Sequence, residues 1–149
     1  MSRYILDTNI ISNLQANTEN GLKVLGRLKQ LNSDDEVYVS VIVLYELVYG
    51  LNNITDEGEK RAVEKAIGFI KEYLSIIPLD MKEVDIFARL KTKYKESTGI
   101  HKNAIKRHNL DLLIASTTIA LDAVIVSNDK IFEKLATIES ALKYENWLL

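Results

Sequence analysis

Arg3-Tyr4-Ile5-Leu6-Asp7-Thr8-Asn9 opens the chain with a short strand pattern that runs straight into an acid and two small polar residues. The same arrangement returns near the other end, where Ala123-Val-Ile-Val126 meets Ser127-Asn128-Asp129. Val37-Tyr-Val39 and Ile76-Ile-Pro-Leu79 are two further brief strand candidates. Their near-continuous apolar character fits strands covered on both faces, as in a parallel sheet.

Helical patterns separate these strands. Glu19 to Leu31 places Leu22, Leu25 and Leu28 on one face. After Ser40, apolar residues recur at Val41, Leu44, Tyr45 and Val48, and Gly50 suggests a stop. Asp80-Met-Lys-Glu83 has the form of a capping box that opens a helix through Val84, Phe87, Leu90 and Tyr94 toward Gly99. Leu110 to Leu121 is helical again. Strands alternating with helices predict an α/β/α sandwich with a mostly parallel central sheet. No repeat or linker divides the 149 residues, so one domain over 1–149 is expected. Ligands of such sheets bind beyond the carboxyl ends of the strands.

Composition narrows the chemistry. The absence of cysteine excludes disulfides, thiolate zinc sites and cysteine nucleophiles. The longest apolar run, Val41 to Tyr45, is far too short to cross a bilayer, so no membrane association and a cytoplasmic location are expected. A net charge of -2 argues against a wholesale basic surface. That total hides a division by position. Residues 89–108 carry seven basic side chains against Glu96 alone, a local charge of +6, which leaves -8 for the rest.

Four acids stand beside apolar sequence. Asp7 and Asp129 follow strands, where a helix N-cap is the ordinary use of such residues. Asp111 begins an apolar helix, a position that also suits the helix dipole. Glu46 is the one charge between Val37 and Asp56, with no Lys or Arg one turn away. In a helix apolar nearly all round it requires a partner from elsewhere, a proton or a metal, unless it faces solvent. If the four converge, their repulsion calls for divalent cations, and hard ions such as Mg²⁺ or Mn²⁺ prefer all-oxygen ligands completed by water and phosphate.

At these residues the sequence resembles the PIN domain family and, within it, the VapC-like toxins of toxin–antitoxin pairs. The resemblance rests on Tyr4-Ile-Leu-Asp-Thr-Asn-Ile10, Val43-Leu-Tyr-Glu-Leu-Val-Tyr-Gly50, Leu110-Asp-Leu-Leu-Ile-Ala115 and Val126-Ser-Asn-Asp-Lys-Ile-Phe132, in family order, ending in Tyr144-Glu-Asn-Trp147. It implies a parallel-sheet sandwich whose acidic pocket binds Mg²⁺ or Mn²⁺ and cleaves single-stranded RNA. It further implies Asp7, Glu46, Asp111 and Asp129 as the catalytic and metal-binding quartet, Asp7 and Asp111 foremost. Thr8, Asn9, Ser127 and Asn128 would orient those ligands or a water from behind. The family more often has Thr where this chain has Ser127, and the stretch Gly99–Asn109 is longer and more basic than the family leads one to expect.

Metal-assisted hydrolysis needs no nucleophilic side chain. That suits a chain whose two histidines, His101 and His108, lie in a basic segment read as a solvated loop. Within that segment Lys93, Lys95, Lys102, Lys106 and Arg107 form a candidate RNA track, and Tyr94 has the spacing of a core residue. The expected partners are RNA, a cognate antitoxin and a second copy of the chain. Leu22, Leu25 and Leu28 are available for a partner groove or, more simply, for the core.

Two alternatives remain at this point: a housekeeping RNA-processing nuclease, and a PIN-like module that binds RNA or protein without cutting. A phosphatase of the haloacid dehalogenase type also begins strand-then-Asp. That chemistry wants a second Asp where this chain has Asn9, and it gives Glu46 no task.

Overall fold

A computed structural model describes residues 1–14 and 17–149. Five strands, β1 (Arg3–Leu6), β2 (Glu36–Ser40), β3 (Ser75–Ile77), β4 (Val124–Val126) and β5 (Lys143–Glu145), form one sheet in the order β3-β2-β1-β4-β5. Every neighbouring pair is parallel. Among the described residues the helices are α1 (Thr8–Leu14), α2 (Glu19–Lys29), α3 (Val41–Asn53), α4 (Glu57–Tyr73), α5 (Val84–Thr98), α6 (Asn109–Ala120) and α7 (Lys130–Ile138). They cover the sheet as the outer layers of an α/β/α sandwich.

β1 is the central strand, with Ile5 paired to Tyr38 on one side and to Ile125 on the other. Ile5 and Leu6 point to opposite faces of the pleat, and both are fully buried. The sheet is therefore covered from both sides, as the unbroken apolar strands require. The chain leaves β1 toward β2 and later returns past it to β4. The seam between β1 and β4 is thus the place where strand order reverses and a crevice opens beyond the carboxyl ends.

The expected punctuation between strand and helix recurs at atomic detail. Asp80 and Glu83 form both halves of a capping box, followed by a single 3-10 turn and α5. Gly99 ends α5 in the left-handed conformation, at φ 66°, which an L side chain enters only at a penalty. Tyr94 is buried among the core residues of α5.

Other expectations need correction. α3 continues through Gly50 to Asn53, because Asn52 and Asn53 bond back to the carbonyls of Val48 and Tyr49 and carry the last turn. α3 is not buried all round. It packs Ile42, Val43 and Leu47 inward and leaves Tyr45, Val48 and Tyr49 exposed. On α2 the buried residues are Gly21 and Val24, so Leu22 and Leu25 face outward and only Leu28 packs partly against the core. β3 begins at Ser75 and ends at Ile77, leaving Leu79 exposed. The segment read as a solvated loop holds a 3-10 helix, Ala104–His108, anchored by buried Ile105.

Candidate active site

Asp7 is set at the seam by backbone pairing. Its N–H donates to the carbonyl of Val126 (3.0 Å), continuing the β1–β4 ladder by one residue, while its own carbonyl accepts from Ile10 and Ile11 at the start of α1. The carboxylate is held from across the seam. Ser127, itself fully buried, donates its Oγ–H to Asp7 Oδ2 at 2.7 Å.

The same hydroxyl accepts from the backbone N–H of Asp129 (3.0 Å) and from Asn9 Nδ2 (3.3 Å). One donor and two acceptors exhaust what a serine hydroxyl offers. Asn9 closes the bridge. Its amide nitrogen reaches Asp7 Oδ2 at 3.5 Å, and its Oδ1 accepts from the N–H of Asn128 at 3.1 Å. Three of the four expected orienting residues therefore join the two strand ends in one network. The fourth, Thr8, has a buried hydroxyl with no hydrogen-bond partner.

The four acids come from four elements. Asp7 ends β1, and Asp129 caps α7 just beyond β4, its Oδ1 accepting from the N–H of Ile131 (3.1 Å). Asp111 stands in the first turn of α6, whose N-cap His108 makes no side-chain cap, and Glu46 stands on α3. The cap reading is correct for Asp129 and is compatible with a second role, since capping engages only one of its oxygens. The burial expected for Glu46 is not found. It lies on the exposed rim, on the face of α3 that also leaves Tyr45 and Tyr49 uncovered while Leu47 packs inward.

Electrostatics ties these groups together. Burial raises the pKa of Asp7 against the lowering pull of its Ser127 and Thr8 hydrogen bonds, and the charge of Asp129 raises it further. Asp111 is pushed up to about 7, first by burial and then by the charges of Asp7, Asp129 and Glu46. Glu46 is raised by partial desolvation and by Asp7. Asp111 thus senses all three of the other acids. Among the described residues, none of the four has a Lys or Arg within ion-pairing distance.

Unpaired, partly desolvated carboxylates of like charge are the donor set that a hard divalent cation neutralises. Among the described residues no three His, Asp or Glu side chains converge into a closed cage for one ion. An open site of one or two carboxylates completed by water and phosphate is the arrangement Mg²⁺ prefers, so the residues present fit such an ion.

The basic segment lies beside this site. His108 rests edge-on against Tyr94 (5.5 Å between ring centroids), with its pKa lowered by burial and by Arg107 and drawn back up by Asp129. Arg107 Nε donates to His108 Nε2 at 3.2 Å. Lys93 is removed from the expected track, since its Nζ pairs with Glu139 at the end of α7. Lys95, Lys102, Lys106 and Arg107 remain exposed. Lys91, omitted from the expected track, bonds Asn109 Oδ1 at 2.8 Å, two residues before Asp111. Only contact across α5 and α6 reveals that role, because the sequence separation is 18 residues.

The sequence matches the PIN domain family model over residues 4–138. Ribonuclease VapC2 of Rickettsia felis is 30% identical over 145 residues, covering 97% of each chain. Ribonuclease VapC of Rickettsia bellii is 28% identical over 141 residues, covering 91% of this chain and 92% of that protein. The crystal structure of VapBC2 from Rickettsia felis bound to a DNA fragment from their promoter superposes with a TM-score of 0.76 at 28% identity, covering 97% of this chain and 98% of that one. The structure of VapBC-1 from nontypeable Haemophilus influenzae shares the fold at a TM-score of 0.74 and 23% identity, covering 99% of each chain. The chain belongs to the PIN domain family, within its VapC-like branch.

Proposed function

We propose that this protein is a metal-dependent endoribonuclease that hydrolyses phosphodiester bonds in single-stranded RNA, as the cytoplasmic toxin of a type II toxin–antitoxin pair. One PIN domain over residues 1–149 carries the activity. The observation that bears most weight is the set of four acids around the β1–β4 seam, none with a cationic partner among the described residues, in which Asp7, Glu46 and Asp111 have raised pKa values and Asp111 feels the charge of the other three. Its support from kinship is that the relatives are named ribonucleases and that a structural neighbour is a VapBC complex.

In this reading Asp7 and Asp111 would be the foremost ligands of Mg²⁺ or Mn²⁺, and Glu46 and Asp129 complete the acidic set. The bound cation would activate water and stabilise charge on the phosphate and the departing oxygen. Ser127 favours the ionised form of Asp7, against the burial that raises its pKa, and aims it by donating to Oδ2, while Asn9 fixes Ser127 from the side. Ser127 is not a nucleophile, because it is fully buried and its one proton is engaged by Asp7. Asp111, at about 7 without metal, must give up a proton as the cation enters, so metal affinity falls as pH drops below that value.

Exposed apolar side chains on α2 (Leu22 and Leu25) and α3 (Tyr45, Val48 and Tyr49) provide surface for the antitoxin and for a second copy of the chain. No helix among the described residues is long and apolar enough to cross a membrane. The test is cleavage of a labelled single-stranded RNA by purified protein. Cutting that requires Mg²⁺ or Mn²⁺ and disappears in Asp7→Asn is expected; undiminished cutting in excess chelator contradicts the reading.

A further inference from the structure

Next to the Lys91–Asn109 contact that leads to the acid site, α5 and the segment around Ala104–His108 border an open recess of about 390 Å³ lined by Phe87, Lys91, Thr92, Lys95, Lys102 and Ile105. That volume falls in the range of small-molecule subsites. Its floor is apolar and its rim is cationic. Ile105 is buried, and Lys91 lies over the Phe87 ring with its Nζ 5.5 Å from the centroid. Lys95, from α5, and Lys102, from the segment after Gly99, both line the recess, and no carboxylate does.

A favourable interaction with the carboxyl end of α5 accounts for Lys95. It does not account for Lys102, which lies beyond the Gly99 turn that ends α5. Nor does it explain why two exposed cations with no ion-pair partner among the described residues should flank an apolar floor. A ligand that is anionic at one end and flat or apolar at the other satisfies both features. The recess is also mechanically joined to the acid site, since Lys91 bonds Asn109 half a helical turn before Asp111.

We propose that this recess is a nucleotide subsite: it takes one nucleotide of the RNA strand near the scissile phosphate. The backbone phosphate of that nucleotide lies between Lys95 and Lys102, and its sugar and base rest over the apolar floor. Lys91 is a positioning residue that fixes the wall shared with α6. The inference rests on the ribonuclease reading for its ligand, and the recess explains what the unusually long basic segment 99–109 adds to the fold. Continuity with the acid site favours RNA over an acidic protein segment as the occupant.

The test measures binding of a short fluorescein-labelled oligouridylate to Asp7→Asn protein, in which the RNA stays intact, with and without Lys95→Gln plus Lys102→Gln. A Lys29→Gln plus Lys65→Gln pair, on exposed positions of α2 and α4, removes the same charge elsewhere. The expected result is a loss of affinity of about tenfold with a shallower salt dependence for the recess pair only. In otherwise wild-type enzyme the recess pair raises KM and leaves kcat within about twofold. Equal losses for both pairs, or none for either, overturn the subsite. So does displacement of bound protein from oligoglutamate rather than from oligouridylate by the same substitutions. If wild-type protein cuts no RNA while the recess pair still weakens oligouridylate binding selectively, the subsite stands and the ribonuclease reading falls.

Discussion

The amino ends of the strands and the acid site at the carboxyl end of the central sheet handle charge in opposite ways. At the amino ends of the strands, acids meet cations: the N-terminal amine lies 3.3 Å from Asp34, Arg3 Nε 3.4 Å from Glu36, and Lys143 Nζ 2.7 Å from Asp122. Asp122 and Asp35 have lowered pKa values there, through the Lys143 contact and through backbone N–H groups of Asn32 and Ser2 respectively. At the carboxyl ends, Asp7, Glu46 and Asp111 are all raised, and none has a cationic neighbour. A fold that pairs its acids at one end has no general shortage of Lys and Arg. At the carboxyl ends Glu145 of β5 is likewise paired, with Arg27 at 2.9 Å, so leaving Asp7, Glu46 and Asp111 unpaired withholds the counter-charge from a place where a ligand can supply it.

The contrast breaks most visibly on activity. Asp7→Asn is expected to lower metal-dependent RNA cleavage by at least about 10³-fold, the loss of several kcal/mol of charge stabilisation. Its far-ultraviolet circular dichroism should match the wild type, because the substitution removes a desolvated charge rather than a packing contact. Lys143→Ala at the opposite end should leave cleavage unchanged, since its partner Asp122 is exposed and surface pairs contribute little. Comparable losses from both substitutions would erase the distinction between the two ends.

Ser127 tests how the seam is wired. Ser127→Ala deletes the donor to Asp7 and the acceptor for Asp129 N–H together, and is expected to weaken metal binding about 10- to 100-fold. Leaving the buried Asp7 carboxylate without its hydroxyl donor should also destabilise the fold by about 1–3 kcal/mol. Ser127→Thr keeps the hydroxyl and should restore metal affinity. Isothermal titration with Mn²⁺ and denaturant melts read the two effects separately.

The smallest effect is on the pH dependence of the metal-free protein, where the two ends have opposite signs. Asp111 has a folded pKa of about 7, raised from 3.8, so its contribution to stability is fully present below the unfolded value and is lost as pH rises through 7. Asp122 has a lowered pKa, so its contribution is present above the unfolded value and is lost only as pH falls below it. In chelator, thermal midpoints should therefore fall by a few degrees between pH 5.5 and pH 8. Asp111→Asn should flatten that slope, and Asp122→Asn should leave it intact.

The parts of the fold legible in the sequence were those with local causes. The capping box at Asp80–Glu83, the left-handed Gly99 and the two strand-then-acid junctions are all written within a few consecutive residues. β5 was not legible, because Lys143-Tyr-Glu145 is short, half polar and becomes a strand only by pairing with β4. α4 buries just Ala66, Ile67 and Ile70 from 17 residues, a stripe too narrow to stand out among its charges. The burial inferred for α3 failed for a different reason: an apolar outer face has the same periodicity whether the chain or a partner covers it. In the site, residue identities at Asp7, Asn9, Ser127 and Asp129 pointed to the seam. The Lys91–Asn109 contact depended on how α5 packs against α6, which no local pattern encodes.

The central claim is that the carboxyl end of the sheet is an incomplete electrostatic site that a divalent cation completes. The most direct measurement is the thermal midpoint of the protein as a function of added Mn²⁺ at pH 7.5, for wild type, Asp7→Asn, Asp111→Asn and Lys143→Ala. A ligand bound only by the folded state raises stability by about 2.7 kcal/mol at a hundred times its dissociation constant. The account predicts a saturable rise for wild type and Lys143→Ala, and little or none for the two seam variants. A rise of equal size in all four proteins, or no rise in wild type, would contradict it.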